Sequence, residues 1–352
     1  MKRGNSLEPN FEDICVVILS RGRNDVLLRS LKYWAELEIN VLVLHNTNIP
    51  IPVKMLGGRI NYKICQESFS IRCGEAAKLL NYDYCIIASD DDFYLPTMLL
   101  KMARELYNDK LISSIGAQTV SALKYGSKNY IKPTYGAMKH YSNLDIGVDD
   151  RVKNHFFSEE SNTFNGAFYR MMRKNDAQTL LVNLAKFNLV STPYIFEITA
   201  EIFFTLLGPS KYLSEVYWLR NLIDDPVQEL DWNRKLYFSN WYKNDNYKYE
   251  VETWVKIIEE LLINTNCKIN LDILLEKIMQ IRLYKETREI FNSESNFKII
   301  KSLKIFSFIR NLKSSFNKFQ PFDEVIKVLD KQGVTCNLKE FTYAWQILVN
   351  DA

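Results

Sequence analysis

The chain has 352 residues, 47% of them hydrophobic, and a formal net charge of +3. That length fits one large domain with an appendage, or two domains, and the near-balanced charge excludes the basic field of a nucleic-acid binder. Six cysteines without a CxxC pair and only three histidines (His45, His140 and His155) exclude a disulfide framework and a zinc site of the usual kind.

Ile14 to Leu19 is an apolar run of buried-strand type, followed by the turn Ser20-Arg21-Gly22-Arg23-Asn24. Asp25 to Leu37 carries Val26, Leu27, Leu31, Trp34 and Leu37 at helical spacing. Asn40 to Leu44 is a second strand and Ile60 to Ile64 a third. Ser70 to Leu80 is helical. Tyr84 to Ala88 is again a strand, and Pro96 opens a helix over Thr97 to Leu106. This alternation predicts an α/β fold with a mostly parallel sheet flanked by helices. The first turn holds one glycine, not a Gly-x-Gly-x-x-Gly phosphate loop.

Leu111 to Phe157 is irregular, a strand-and-loop region. Asn165 to Arg170 reads as a short strand before a helix near Asp176 to Leu184. Tyr194 to Leu207 is a strongly apolar helix interrupted by Glu197 and Glu201 and stopped by Gly208. Tyr212 to Leu219 is a strand ending at Arg220. Helical patterns then dominate: Val251 to Ile263, Leu271 to Tyr284, Lys298 to Phe316, Phe322 to Lys331 and Leu338 to Val349. The expected division is a catalytic domain over 1–225 and a mainly helical C-terminal extension over 226–352. Within 297–318, basic residues interleave with Phe297, Ile300, Leu303, Phe306, Ile309 and Phe316, a pattern suited to peripheral contact with an anionic membrane. The polar start, Met1 to Asp13, has no signal-peptide core, and no apolar run is long enough to span a bilayer. The expected location is the cytoplasm, with contact at the inner membrane face.

The densest chemistry lies in Asp90-Asp91-Asp92, directly after the strand Tyr84 to Ala88. Carboxylates at the C-terminal end of a parallel strand stand where open α/β sheets bind ligands. On extended backbone Asp90 and Asp92 share a face and Asp91 points away. Two convergent carboxylates with no lysine beside them suit a hard cation such as Mg²⁺ or Mn²⁺, with Asp92 and Asp90 as ligands. Phe93 is expected to pack beneath them.

Three segments in this order resemble the GT-A-fold, family-2-like bacterial glycosyltransferases, in the branch whose metal motif reads Asp-Asp-Asp-Phe. They are Ile14 to Trp34, Tyr84 to Pro96, and Tyr194 to Arg220 with Glu197 and Gly208. The resemblance spans roughly 14–222 and implies a GT-A-type sheet and transfer of a sugar from a nucleotide-sugar donor, with a UDP-sugar as the first expectation. The implied acceptor is a glycan or lipid-linked molecule of bacterial surface polysaccharide synthesis. Where many relatives read the base with an Asp, this chain has Asn46. Where many end the last strand with a metal-binding His, it has Arg220.

The resemblance also implies roles. Asp92 would hold a cation that neutralises the leaving diphosphate, with Asp90 oriented toward the donor's ribose or the metal's waters. Glu197 would be the general base, its apolar neighbours Tyr194, Ile195, Phe196 and Ile198 desolvating it, with Glu201 one turn on as competitor. A dedicated base suggests inversion. Ser20, Arg21 and Arg23 in the first turn, Asn46, Arg72 and Arg220 complete the expected donor site, arginine matching phosphate through paired donors. His45, His140 and His155 read as structural. Two other functions stay open: a metal-dependent nucleotidyl- or phosphotransferase using the same acids, and a non-catalytic glycan-binding scaffold.

Overall fold

Strand β1 (Ile14–Arg21) is the centre from which the sheet grows. Its side chains alternate between two hydrophobic cores: Ile14, Val16 and Ile18 enter one, Cys15 and Val17 the other. A strand buried on both faces must be apolar throughout, which is why this run stands out in the sequence. The computed structural model describes residues 8–52, 57–125, 128–134, 142–158, 167–187, 191–223, 236–292, 327, 329 and 333–350.

On one side β1 pairs in parallel with β2 (Asn40–Asn46), which pairs in parallel with β3 (Ile60–Ile64). On the other it pairs in parallel with β4 (Tyr84–Ala88). The short β5 (Phe93–Tyr94) follows at the far edge. Then come β6 (Ser114–Tyr125), its hairpin partner β7 (Lys128–Thr134), β8 (Met171–Arg173) and β9 (Ser210–Leu222). The order is β3-β2-β1-β4-β8-β6-β9-β5, with β7 on β6. β8 runs antiparallel to both β4 and β6, whereas β6 and β9 are parallel. A parallel nucleotide-type half joined through one reversed strand to a second half is the GT-A-like α/β arrangement that the sequence predicts.

Helices cover both faces. α1 (Asn24–Ala35) and α3 (Pro96–Asn108) line the first core, where Trp34, Leu99 and Met102 are fully buried. α2 (Phe69–Leu79), α5 (Lys174–Ala185) and α6 (Tyr194–Leu207) line the second, after the short α4 (Val148–Val152). α6 presents nearly its whole circumference to protein, and Glu197 is exposed. It ends at Gly208, where an added β-carbon would stand 3.1 Å from the Ser113 Cβ, a tight approach.

The later helices are α7 (Phe238–Lys243), α8 (Lys248–Asn264), α9 (Leu271–Asn292) and α10 (Leu338–Asn350). Trp241, Trp254, Leu274 and Ile278 join the second core, and Phe341, Ala344 and Leu348 of α10 join the first. The expected boundary at 225/226 falls in 224–235, outside the described residues; the helices beyond it line the same two cores as the sheet. Glu340 of α10 accepts from Thr97 at the start of α3, from its backbone N (3.2 Å) and its Oγ1 (2.9 Å). An acid at a helix N-terminus satisfies donors that the helix leaves open. The basic segment 297–318 also lies outside the described residues. Among the described residues, no helix is long and apolar enough to cross a membrane.

The strand-and-loop stretch after Leu111 contains the β6–β7 hairpin, and one expectation changes, at 167–169. Buried Ser114, Gln118, Thr119 and Ser121 break its apolar pattern, because they pack against neighbouring strands instead of facing water. Residues 167–169 form a 3₁₀ turn rather than strand, and β8 begins only at Met171.

If α10 is part of the same cooperative unit, Phe341→Ala should lower global stability by about 3–5 kcal/mol, the usual cost of emptying a buried aromatic site. Urea unfolding followed by tryptophan fluorescence and by circular dichroism should give one coincident, shifted transition. Separate transitions would mark α10 as an independent appendage.

Candidate functional site

The strands that follow β1 in the chain leave it in opposite directions, β2 and β3 to one side and β4 to the other. The crevice beyond the carboxyl ends of β1 and β4 is therefore a topological switch point, where open α/β sheets bind ligands. The Ser20–Asn24 turn closes one wall and Ser89–Asp92 the other.

The β1–α1 turn is held from below. Gly22 and Arg23 both have left-handed backbone, φ +57 and +44. The Gly22 N–H donates to the Asn46 carbonyl at 3.0 Å. Buried His45 bonds the Gly22 carbonyl through Nε2 (3.0 Å) and Tyr62 Oη through Nδ1 (2.9 Å). A carbonyl only accepts, so Nε2 carries the proton and Tyr62 donates to Nδ1. Burial lowers the His45 pKa, the bond to Gly22 opposes that, and the Arg72 charge adds to the lowering. Arg72 is fully buried, donates to the Glu67 carbonyl at 2.6 Å and lies against the Phe69 ring. Asn46 Nδ2 donates to the same carbonyl at 3.0 Å. Asn46 thus stands at the crevice edge, and Arg72 is enclosed beneath it.

The acids do not alternate as expected. β4 ends at Ala88, and Asp90 and Asp91 form a turn before β5, so the two-residue repeat of extended backbone does not apply. Asp90 and Asp91, not Asp90 and Asp92, share a cation. Arg23 donates to Asp90 Oδ1 through Nη2 and to Asp91 Oδ2 through Nη1 at 3.0 Å. Ser20 Oγ donates to the other Asp90 oxygen at 2.7 Å. Asp92 turns toward β9, where its Oδ1 accepts from the Asn221 N–H at 2.8 Å. Burial, then the Asp91 charge, raises the Asp92 pKa well above the carboxylate range; Arg220, the Asn221 N–H and Ser89 act the other way. Phe93 is fully buried behind the turn, as expected.

Tyr169 stands at the centre of the opposite wall. Its hydroxyl is 3.4 Å from Ser89 Oγ, and its ring packs on Trp218 at 4.5 Å between centroids. After burial, the charges of Glu197 and Asp92 raise its pKa, and Arg220 opposes them. Arg220 lies 5.8 Å over the Trp218 ring and ends no strand: β9 continues to Leu222. Arg21 is half-buried at the end of β1, opposite Asn46 in register.

Glu197 is solvent-exposed in the first turn of α6, which overturns the apolar setting expected for it. Ile195, Phe196 and Ile198 are buried in the second core, while Glu197 in the first turn is left uncovered. Glu201 is the buried acid. It meets His155 Nε2 at 2.7 Å, inside the π-helical turn Lys153–Phe157 that covers mid-α6. The competitor is thus a buried acid paired with His155.

Among the described residues, no three His, Cys, Asp or Glu side chains are arranged to hold a metal ion. Asp90 is engaged by Ser20 and Arg23, and Asp92 accepts from the Asn221 N–H. Asp92 offers a buried oxygen donor of the kind a hard cation takes. Sequence reasoning missed Tyr169, Ser89, Trp218 and Asn221. Ser89 and Asn221 adjoin expected site residues, a signal of position, whereas Tyr169 and Trp218 gave none among so many aromatics.

No family model matches the chain, and no curated protein matches it. Among solved structures it is similar to residues 1–349 of S. aureus TarS, at 11% identity and a TM-score of 0.46, over 83% of this chain and 75% of that one. The same TarS segment in complex with UDP-GlcNAc gives 11% identity and 0.46, over 83% and 76%. A CMP:2-keto-3-deoxy-manno-octonic acid synthetase complexed with CTP gives 12% identity and 0.32, over 61% and 92%. The fold assignment rests instead on the strand order and directions described above.

Two outcomes follow from the site's supports. His45 is held neutral in the fold, so the unfolded chain takes up the extra proton once pH falls below its ordinary value of 6.5. Its contribution to stability is intact above that value and declines on acidification through it. The loss of stability between about pH 7.5 and about pH 5.5 should be larger in the wild type than in His45→Gln, read by urea unfolding at each pH. Second, Glu201→Gln should cost ~1–3 kcal/mol by leaving a buried partner poorly matched. Glu197→Gln should stay within ~0.5 kcal/mol of wild type, as exposed substitutions do. Equal costs in the same unfolding assay would contradict this division.

Proposed function

We propose that the protein is a glycosyltransferase that takes a sugar from a nucleotide-sugar donor bound in the crevice beyond β1 and β4. The observation that carries this reading is the junction of two walls by Ser20, Arg23, Asp90 and Asp91 at the switch point of a GT-A-like sheet. Such a crevice suits a nucleotide, and a cationic side chain beside buried acids suits a diphosphate.

In this reading Asn46 and the Ser20–Arg23 turn meet the nucleoside. Arg23 and Arg220 lie at the phosphate end, and Arg21 borders it. Asp92 would hold Mg²⁺ or Mn²⁺ together with the donor's own phosphate oxygens; when bound, that ion supplies positive charge to the departing diphosphate. Glu197 stands exposed in the first turn of α6, and its charge acts on Tyr169. That position is open to an acceptor hydroxyl and lets the carboxylate take its proton. A separate base on the acceptor side fits an inverting displacement. The acceptor class is a sugar hydroxyl of a glycan or of a lipid-linked glycan in bacterial surface polysaccharide synthesis, and UDP-sugars are the first donors to try.

Purified protein with Mn²⁺ should bind at least one member of a nucleotide-sugar panel by calorimetry. Glu197→Gln should retain that binding and lose ~10²–10⁴-fold in transfer rate, the usual worth of a general base. Asp92→Asn should weaken binding and turnover together. Consumption of a nucleoside triphosphate with no response to any nucleotide sugar would instead identify a nucleotidyltransferase.

A further inference from the structure

We propose that Glu250 in α8 is the positioning residue of the first turn of α6, and that it thereby sets where Glu197 stands beside the crevice. The role of Glu197 rests on the glycosyltransferase reading; the hold on the turn stands on its own geometry.

Glu197 is exposed, so packing does not fix its side chain, and its place depends on the backbone that carries it. That backbone starts with no side-chain cap, because Pro193 occupies the N-cap position of α6. A first helical turn holds N–H groups without partners in the helix, and a side-chain cap is the usual way to steady them. Here the steadying contact falls at Ser191, just before the cap, and comes from another helix.

Glu250 Oε2 accepts from the Ser191 N–H at 3.0 Å and from Trp241 Nε1 at 2.9 Å, and Oε1 accepts from Ser191 Oγ at 2.6 Å. Three donors on one carboxylate make a directional hold, and bonds to a charged acceptor are the stronger kind. Trp241 is fully buried in the second core, so the carboxylate is braced against a fixed group. Glu250 lies in the first turn of its own helix, where a negative charge suits the helix end. Two further contacts flank the turn. The Arg282 guanidinium of α9 lies 4.4 Å over the ring of Tyr194, the first residue of α6, and Trp254 of α8 donates to Thr199 Oγ1 at 3.1 Å. Of these contacts, that of Glu250 takes a backbone donor, so it acts on the path of the chain into α6.

The groups assigned to the donor lie on the sheet and its turns. Loss of Glu250 therefore frees the turn that carries Glu197 and leaves the donor side in place. The signature is slower transfer at unchanged donor affinity, through Glu197 and through no other residue.

The test uses the full chain. Hydrogen exchange read by mass spectrometry judges the hold: in Glu250→Ala, peptides within 191–200 should exchange at least ~10-fold faster, while those from β1 and from 201–207 keep wild-type rates. Glu250→Gln should exchange as the wild type does, since its amide can keep all three bonds with the Ser191 hydroxyl then accepting. Wild-type exchange within 191–200 in Glu250→Ala, or equal acceleration along the whole chain, would overturn the proposal. Should Glu250→Ala fail to fold, Ser191→Ala decides, by a gain of at least ~3-fold confined to 191–200; no gain overturns the hold.

UDP release from UDP-glucose, UDP-galactose and UDP-GlcNAc, with Mn²⁺ present and water as the stand-in acceptor, reads the consequence. Glu250→Ala should lower kcat by ~10–100-fold, the cost of a small misplacement, and leave donor affinity by calorimetry within ~2-fold. In a Glu197→Gln background the same substitution should change kcat by less than ~2-fold, because no base is left to misplace. Losses that multiply would overturn the link to Glu197. Absence of donor binding and of UDP release in the wild type removes the glycosyltransferase reading, while hydrogen exchange still judges the hold on α6.

Discussion

A carboxylate taken out of water must find compensation, and the architecture around the crevice is organised by that requirement at the end of β4. Asp90 is satisfied from the β1 turn by Ser20 and Arg23, Asp91 by Arg23, and Asp92 by the backbone of β9. Each partner lies far away in sequence, so the acid turn ties together the first strand, the fourth and the ninth. Removing charge balance at this point would loosen the joint between the two halves of the sheet, beyond any effect on a ligand.

The supports beneath are built in the same way. His45 and Asn46 at the end of β2 hold Gly22, while Asn46 and Arg72 converge on the Glu67 carbonyl. The left-handed Gly22–Arg23 backbone is therefore over-determined by neighbours rather than by its own preference. Across from that turn, Tyr169 packs on the buried Trp218 with ring planes inclined at 41°, and Arg220 lies over the Trp218 ring. The aromatic pair thus backs the acid turn with packing rather than with an open ring face.

What the sequence disclosed follows from where its residues lie. β1, β2 and β4 are apolar because both faces are covered, and such runs need no context to be read. The long β6 was obscured because Ser114, Gln118, Thr119 and Ser121 are buried polar residues, whose partners lie on other strands. The acid triplet was visible as chemistry but not as geometry. Alternation assumes extended backbone, and the cation that organises Asp90 and Asp91 comes from a turn before α1. Glu197 and Glu201 share a helix face by spacing, yet one is open and the other enclosed by the turn carrying His155. Coverage by a distant segment, not periodicity, separates them.

The bond from Glu340 to Thr97 joins positions 243 residues apart. Thr97 opens the helix that leaves β5 directly after the acid turn, so a late element of the chain caps an early one. During synthesis the first strands can pair as they emerge, but this cap cannot close until the intervening chain has been made. The acid turn is completed late as well, because Asp92 waits for the Asn221 N–H of β9.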